Sequence, residues 1–257
     1  MDGHVMNTTI SIETGARGVT TLLFQRPDRG NAFNQVMLDE IYAALTALAA
    51  DLSVRALILR GAGKHFCTGA DMSARGYSDA GVSLNDVLNL LDDFPKPVIG
   101  VIHGGCVGGG LAIAACCDVV LADTRAFFAV PELRVGLAPS ISLTGYFIRV
   151  MGPRAFRRYG LSGERIGGAD ALRLGVAHEL IESSDIDARL GQLIDDFLHS
   201  APLALAEFKG RITQLSASAP ALNAHDGPRG LERSPEAREG VAAFKEKRKP
   251  VWYSSLT

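Results

Sequence analysis

Apolar positions in the first half of the chain fall into short alternating or continuous runs between turns, and the second half changes to helical spacing. Thr8–Glu13 and Val19–Phe24 flank Thr14-Gly15-Ala16-Arg17-Gly18, the pattern of a β-hairpin. Arg26-Pro27-Asp28-Arg29-Gly30-Asn31 follows as a turn-rich loop. Met37–Leu52 places Leu38, Ile41, Leu45 and Leu48 on one helix face, and Val54–Leu59 reads as a buried strand ended by Gly61-Ala62-Gly63. A strand, a helix and a strand in this order predict a crossover and a parallel pair. Further on, the pattern predicts a helix over Leu84–Phe94, a strand over Lys96–Ile102 and a helix over Leu111–Cys117. Strands over Asp118–Ala122 and Phe127–Ala129 come next. From Ser140 the strands largely stop. Helices are predicted over Leu143–Met151, Arg154–Leu161, Gly168–Arg173, Ile186–His199, Pro202–Ser216 and Ser234–Lys247, with Pro202 suited to a first turn. Arg75–Ser83 is rich in Gly and Ser and reads as a mobile loop.

Composition narrows the class. The 257 residues are 47% hydrophobic and 21% charged, enough for one sizeable core and far from the disordered class. A net charge of −2 offers no bulk attraction to nucleic acid or to an acidic membrane. No apolar run is long enough to predict a membrane span. Asp2 and Glu13 near the start, with no apolar stretch between them, give no expectation of a secretory signal. Cys67, Cys106, Cys116 and Cys117 form no C-x-x-C pair, and the six histidines show no ligand spacing. Buried free thiols in a reducing cytoplasm are expected, and no metal. Nothing supplies Cys67 or Cys106 with a base.

Two glycine-rich turns carry the chemistry. Cys67-Thr68-Gly69-Ala70-Asp71 and Gly108-Gly109-Gly110 each follow a predicted strand and lead toward a helix. A helix start presents unpaired N–H groups, and glycine lets another group come close to them. Two such turns could aim N–H groups at one oxygen, as an oxyanion requires. Neither a G-x-x-x-x-G-K-[ST] nor a G-x-G-x-x-G pattern follows the first strand, which argues against a phosphate cradle.

The segments F-C-T-G-A-D and H-G-G-C-V-G-G-G-L-A-I-A-A-C-C-D, followed by F-F-A-V-P-E-L-R-V-G-L-A-P, resemble the enoyl-CoA hydratase/isomerase (crotonase) superfamily. The resemblance runs from R-P-D-R-G-N-A-F-N to E-G-V-A-A-F-K-E-K-R-K-P and so covers nearly the whole chain. It implies an α/β crotonase (ClpP/crotonase-like) fold, with repeated ββα units in a spiral over residues 1–200. A C-terminal helical trimerisation region would occupy 201–257. It also implies that the backbone N–H groups of Ala70 and Gly109 hold a thioester oxygen.

Hydratases of this family carry two glutamates. At the first position, two residues past the glycine triplet, this chain has Ala112; at the second it has Glu132. A single acid/base is therefore expected, suited to hydration or dehydration of a 2-enoyl-CoA or to double-bond isomerisation. A non-catalytic acyl-CoA-binding homologue is the alternative of another class. Pro139-Ser140-Ile141-Ser142-Leu143 replaces the family's usual glycine-rich segment and, with Tyr146–Gly152, is similar to methylglutaconyl-CoA-type hydratases.

The resemblance places coenzyme A at Arg29, Lys64, Gly69 and Asp71, with Phe244 and Lys247 closing the site, sometimes from a neighbouring subunit. Ser73 stands where many members have a lysine. Ala112, Ser140 and Ile141 would line the substrate pocket, with Tyr77 a weaker candidate. His65 and His103 are expected in structural roles. Coenzyme A belongs to the substrate, so no separate cofactor is expected. The implied partners are an acyl-CoA thioester and further copies of the chain, as a homotrimer or homohexamer.

Overall fold

β1 (Ile10–Thr14) and β2 (Val19–Phe24) form the expected antiparallel hairpin. Asn34 caps α1 (Gln35–Ala50), its side chain accepting the Met37 N–H at 3.0 Å. The predicted stripe of α1 is buried, Leu38, Ile41, Leu45 and Leu48 together with Met37. Each such side chain contributes roughly 1.5–3 kcal/mol. β3 (Ala56–Gly61) then pairs parallel with β2, as a right-handed crossover demands.

The computed structural model describes residues 8–73, 81–216 and 235–252. Among these, β4 (Val98–Ile102), β6 (Val119–Asp123) and β9 (Glu179–Ile181) complete a six-stranded sheet in the order β1-β2-β3-β4-β6-β9. A smaller sheet holds β5 (Gly105–Val107), β7 (Phe127–Ala129) and β8 (Ile166–Gly167). Successive units place one strand in the large sheet, one short strand in the small sheet, and then a helix. β4, β5 and α3 (Gly109–Ala115) follow this plan. So do β3, the bridge residue Cys67 and α2 (Leu84–Asp92), which a Ser83/Asp86 capping box starts.

The central strands are buried on both faces, which is why they read as unbroken apolar runs. Leu57, Leu59, Val98 and Ile102 face a main core shared with α1, α2 and α3. Ile58, Ile99, Val101 and Leu121 face Ile186 and Leu190 of α6 (Ile186–His199).

Three strands and the start of one helix depart from the patterning. β5 was not expected, so the strand that leads into the glycine triplet is Gly105–Val107, and α3 begins at Gly109 rather than Leu111. β8 and β9 interrupt the helical second half; at two and three residues they are too short to show a period. The two helices expected over 143–151 and 154–161 are present within α4 (Ile141–Ser162), separated where Gly152 adopts a non-helical φ of 75° ahead of Pro153. α5 (Gly168–Leu174), α7 (Pro202–Ser216) and α8 (Pro235–Lys245) follow the expected spacing. Most of the 75–83 loop, with Tyr77, lies outside the described residues.

The Arg26–Asn31 loop is held by a buried amide. Asn31 is fully buried at φ 55°, and its Oδ1 accepts the Arg26 N–H at 2.8 Å. Its Nδ2 donates to the carbonyls of Ala62 (2.9 Å) and His65 (2.7 Å). Replacing it strands these backbone groups and puts an alanine in a left-handed conformation. Asn31→Ala should cost about 3 kcal/mol in urea unfolding. A loss under about 1 kcal/mol would mean that the loop is held by other contacts.

Candidate active site

Residues 66–70 run beside β5, and this pairing brings the two glycine turns together. Phe66 N–H donates to the His103 carbonyl (3.0 Å), Cys67 N–H to Gly105 (3.2 Å), and Val107 N–H back to Cys67 (2.9 Å). At the far end of the ladder, a Cβ on Gly69 would lie 3.5 Å from the Gly109 nitrogen. Gly108 adopts φ 54°, ψ −119°, open essentially to glycine alone.

Two N–H groups are left over at this junction. The Gly69 carbonyl accepts the Phe33 N–H (2.8 Å), and the Gly108 carbonyl accepts the Ala112 N–H (3.1 Å). A trans peptide points its C=O and N–H to opposite sides, so each bond turns the following N–H, of Ala70 or Gly109, the other way. Among the described residues neither of these N–H groups has an acceptor. Ala70 is exposed, so its donor is open to a ligand.

Glu132 stands against the same junction, at the start of a 3-10 turn, Glu132–Val135. A Cβ on Gly108 would meet its Oε1 at 2.6 Å, a second reason for glycine there. Its Oε2 is buried with no hydrogen-bond partner among the described residues. Burial pushes the carboxyl up from 4.5 to about 7, opposed only by its own backbone N–H. At neutral pH such a group is present in both forms, as a proton-transfer residue requires. α8 packs on the outer side of this turn: a Cβ on Gly240 would lie 2.4 Å from the Val135 carbonyl carbon.

The other expected residues are placed unevenly. Asp71 is buried and committed within the fold. Its Oδ2 accepts from Arg26 Nη2 (2.9 Å), and its Oδ1 accepts from the Ser73 N–H (3.0 Å) and hydroxyl (2.6 Å). Both carboxylate oxygens are thus engaged within the fold. Arg29 is exposed and reaches to Ser73 Oγ (3.5 Å). Lys64 is at the other end of the 64–69 segment, in a groove of about 460 Å³ with Arg60, His103, Arg125 and Asp187. The ladder does not bring it to the turns. Ala112 is fully buried in the main core. Ser140 caps α4 by accepting the Leu143 N–H (3.1 Å), and Ile141 beside it is 40% exposed. Phe244 is 63% exposed at the end of α8, and Lys247 just beyond it has φ 54°.

His65 and His103 are structural: His65 Nδ1 accepts the Gly105 N–H (2.9 Å), and His103 Nε2 meets the Gly63 carbonyl (2.9 Å). All four cysteines are buried and free, and burial pushes Cys67 up to about 12. Among the described residues no His/Cys/Asp/Glu group could hold a metal. Arg26 and Phe33, which fix the first turn, were missed. Arg26 directly precedes a proline in a polar loop and looks like a surface charge, and Phe33 acts through its main chain, which no side-chain pattern shows.

The family model for enoyl-CoA hydratase/isomerase matches residues 14–255. The chain belongs to this family. It is 30% identical over 239 residues to the 2,3-dehydroadipyl-CoA hydratase of Escherichia coli K12, covering 90% of this chain and 94% of that one. It is also 30% identical over 193 residues to the enoyl-CoA hydratase ACTT6 of Alternaria alternata; that match takes in 74% of this chain and 64% of the relative's length. An enoyl-CoA hydratase structure from Mycobacterium avium subsp. paratuberculosis K-10 superposes with a TM-score of 0.85 at 27% identity, covering 96% of this chain and 99% of that chain. The fold is thus the crotonase fold, α/β with a C-terminal helical region.

The raised carboxyl has a consequence for stability. Glu132 takes up a proton more readily in the fold than in the open chain. Its neutral form costs nothing below about pH 4.5, and stability then falls as the pH rises through about 7, by about 3 kcal/mol in all. Glu132→Gln stays neutral throughout. Its stability relative to wild type should rise by about 3 kcal/mol between about pH 4.5 and pH 8 in denaturant titrations. A gap independent of pH would mean that Glu132 is solvated.

Proposed function

We propose that the protein catalyses syn hydration of a 2-enoyl-CoA thioester, or the reverse dehydration, with Glu132 as its one acid/base and the Ala70 and Gly109 N–H groups as the oxyanion donors. The observation that carries this reading is the Glu132 carboxyl, its Oε2 buried without a hydrogen-bond partner, beside two N–H groups that have no acceptor among the described residues. Ionised Glu132 takes a proton from water as the oxygen adds to C3. The C2–C3 π pair moves to C2 and delocalises onto the thioester oxygen, where the two N–H groups meet the charge. The protonated glutamic acid then delivers its proton to C2. Water is thereby added in full, and one carboxyl serves both steps on one face.

A specific observation favours a second reading. The first glutamate position is Ala112, sunk in the core, so no second carboxylate stands ready to hold the water. Isomerisation needs no water: Glu132 removes a C2 proton from a 3-enoyl-CoA, and the dienolate takes it back at C4. Arg29 over Ser73 suits the phosphates of coenzyme A. Assembly as a trimer or hexamer has support in α7. Its polar side meets the core, Lys209 Nζ donating to Asp118 Oδ2 (2.6 Å), while Leu203, Phe208 and Leu215 are 84%, 65% and 76% exposed.

Crotonyl-CoA separates the readings. Loss of the enoyl thioester absorbance on mixing supports hydration; no loss, with gain of that band from a 3-enoyl-CoA, supports isomerisation. Silence in both, with tight coenzyme A binding, contradicts both readings for unbranched substrates. In either reaction Glu132→Gln should lower kcat by about 10³-fold or more and leave acyl-CoA affinity within a few-fold. A glutamine variant that still turns over would overturn the single-base mechanism.

A further inference from the structure

A buried cation stands behind the Ala70 donor. The Arg26 guanidinium is 16% exposed, and its Nη1 donates to the Ala32 carbonyl while Nη2 binds Asp71. The Ala32 carbonyl shares a peptide unit with the Phe33 N–H, which donates to the Gly69 carbonyl at 2.8 Å. That carbonyl in turn shares a peptide unit with the Ala70 N–H. Arg26, the 32–33 peptide and the 69–70 peptide therefore form one head-to-tail chain of hydrogen bonds that ends on an N–H with no acceptor among the described residues. Each planar trans unit passes the alignment on, because its C=O and N–H dipoles are parallel. Bonds in such a chain polarise one another, and a charged donor at its head strengthens every link.

The same guanidinium fixes the residue that follows the donor. Asp71 N–H donates to the Phe33 carbonyl (2.8 Å), and the Asp71 side chain closes on Arg26 and Ser73. Ala70 is thus held from both sides by groups that Arg26 organises. The Arg26 main chain is itself pinned, its N–H to Asn31 Oδ1 and its carbonyl to the Asn31 N–H (2.9 Å).

We propose that Arg26 is a positioning residue that aims and polarises the Ala70 N–H through two peptide units, without touching the substrate. The inference rests on the oxyanion reading above, and it applies to hydration and isomerisation alike. It assigns to the fold's interior a charge that the sequence pattern would place on the surface. It also gives Asp71 a role, as the counter-charge that allows the guanidinium to be buried.

Acetoacetyl-CoA provides a readout that needs no turnover, because its enolate has its own absorption band and carries the charge that the donors would stabilise. Wild type should bind part of it as the enolate. Arg26→Met should lower the bound enolate-to-keto ratio by roughly tenfold, short of the 10²–10³-fold typical for outright loss of an oxyanion donor. Affinity for free coenzyme A should stay within about twofold, and Arg26→Lys should recover part of the ratio. Because Arg26→Met strands Asp71, the double variant Arg26→Met/Asp71→Asn removes both charges and tests the same point in a neutral interior. A wild-type ratio in the double variant would overturn the proposal and leave Arg26 as a mere partner for Asp71. A parallel loss of coenzyme A affinity would overturn it in favour of a binding role. If wild type binds no enolate, the oxyanion reading itself fails; inactivity on enoyl substrates with a normal enolate ratio would instead sink only the assigned reaction.

Discussion

Two isolated main-chain bridges, Phe33 to Ala70 and Cys67 to Cys106, hold the chemistry of this protein in place. Phe33, Ala70 and Cys67 lie outside the strands of the two sheets, and Cys106 is the middle residue of β5. One bridge ties the first glycine turn to the Arg26–Asn34 loop, and the other ties it to the strand that feeds the second turn. Without them, Ala70 and Gly109 would sit on separate units of the spiral. With them, two peptide planes are fixed so that their carbonyls face inward and the next N–H groups face out. Backbone donors suit this task because their direction follows from the fold, not from a rotamer.

The second constraint is electrostatic. Glu132 is carried on a single short turn, between a glycine that must lack a side chain and a C-terminal helix that packs on the turn's outer side. Burial raises the carboxyl to about 7, and its Oε2 has no hydrogen-bond partner among the described residues. In the proposed hydration one carboxyl serves as base and then as acid, which a pKa near neutrality allows.

Much of this could be read from the residues. The apolar stripe of α1, the strands at Val98 and Val119 and the final helices follow from period and burial. The glycine turns and Glu132 were legible because each needs a rare local composition. β5, β8 and β9 were not, since two or three residues cannot display an alternation. The surroundings of Asp71 and Ala112 were not legible for a different reason: a motif gives their neighbours in sequence, while Arg26 and the core around them come from elsewhere in the chain. Arg26 escaped because a charged residue beside a proline looks solvated until the carbonyl of Ala32 and the carboxylate of Asp71 are seen around it.

The central claim is that a thioester oxygen sits between the Ala70 and Gly109 N–H groups. Isotope-edited infrared spectroscopy of a bound, unreactive 2-enoyl-CoA labelled at the thioester carbonyl tests it most directly. Two aligned donors predict that the carbonyl stretch moves to lower frequency on binding, by more than transfer into water produces. A carbonyl that absorbs as it does in solution, in a complex of full occupancy, would contradict the claim.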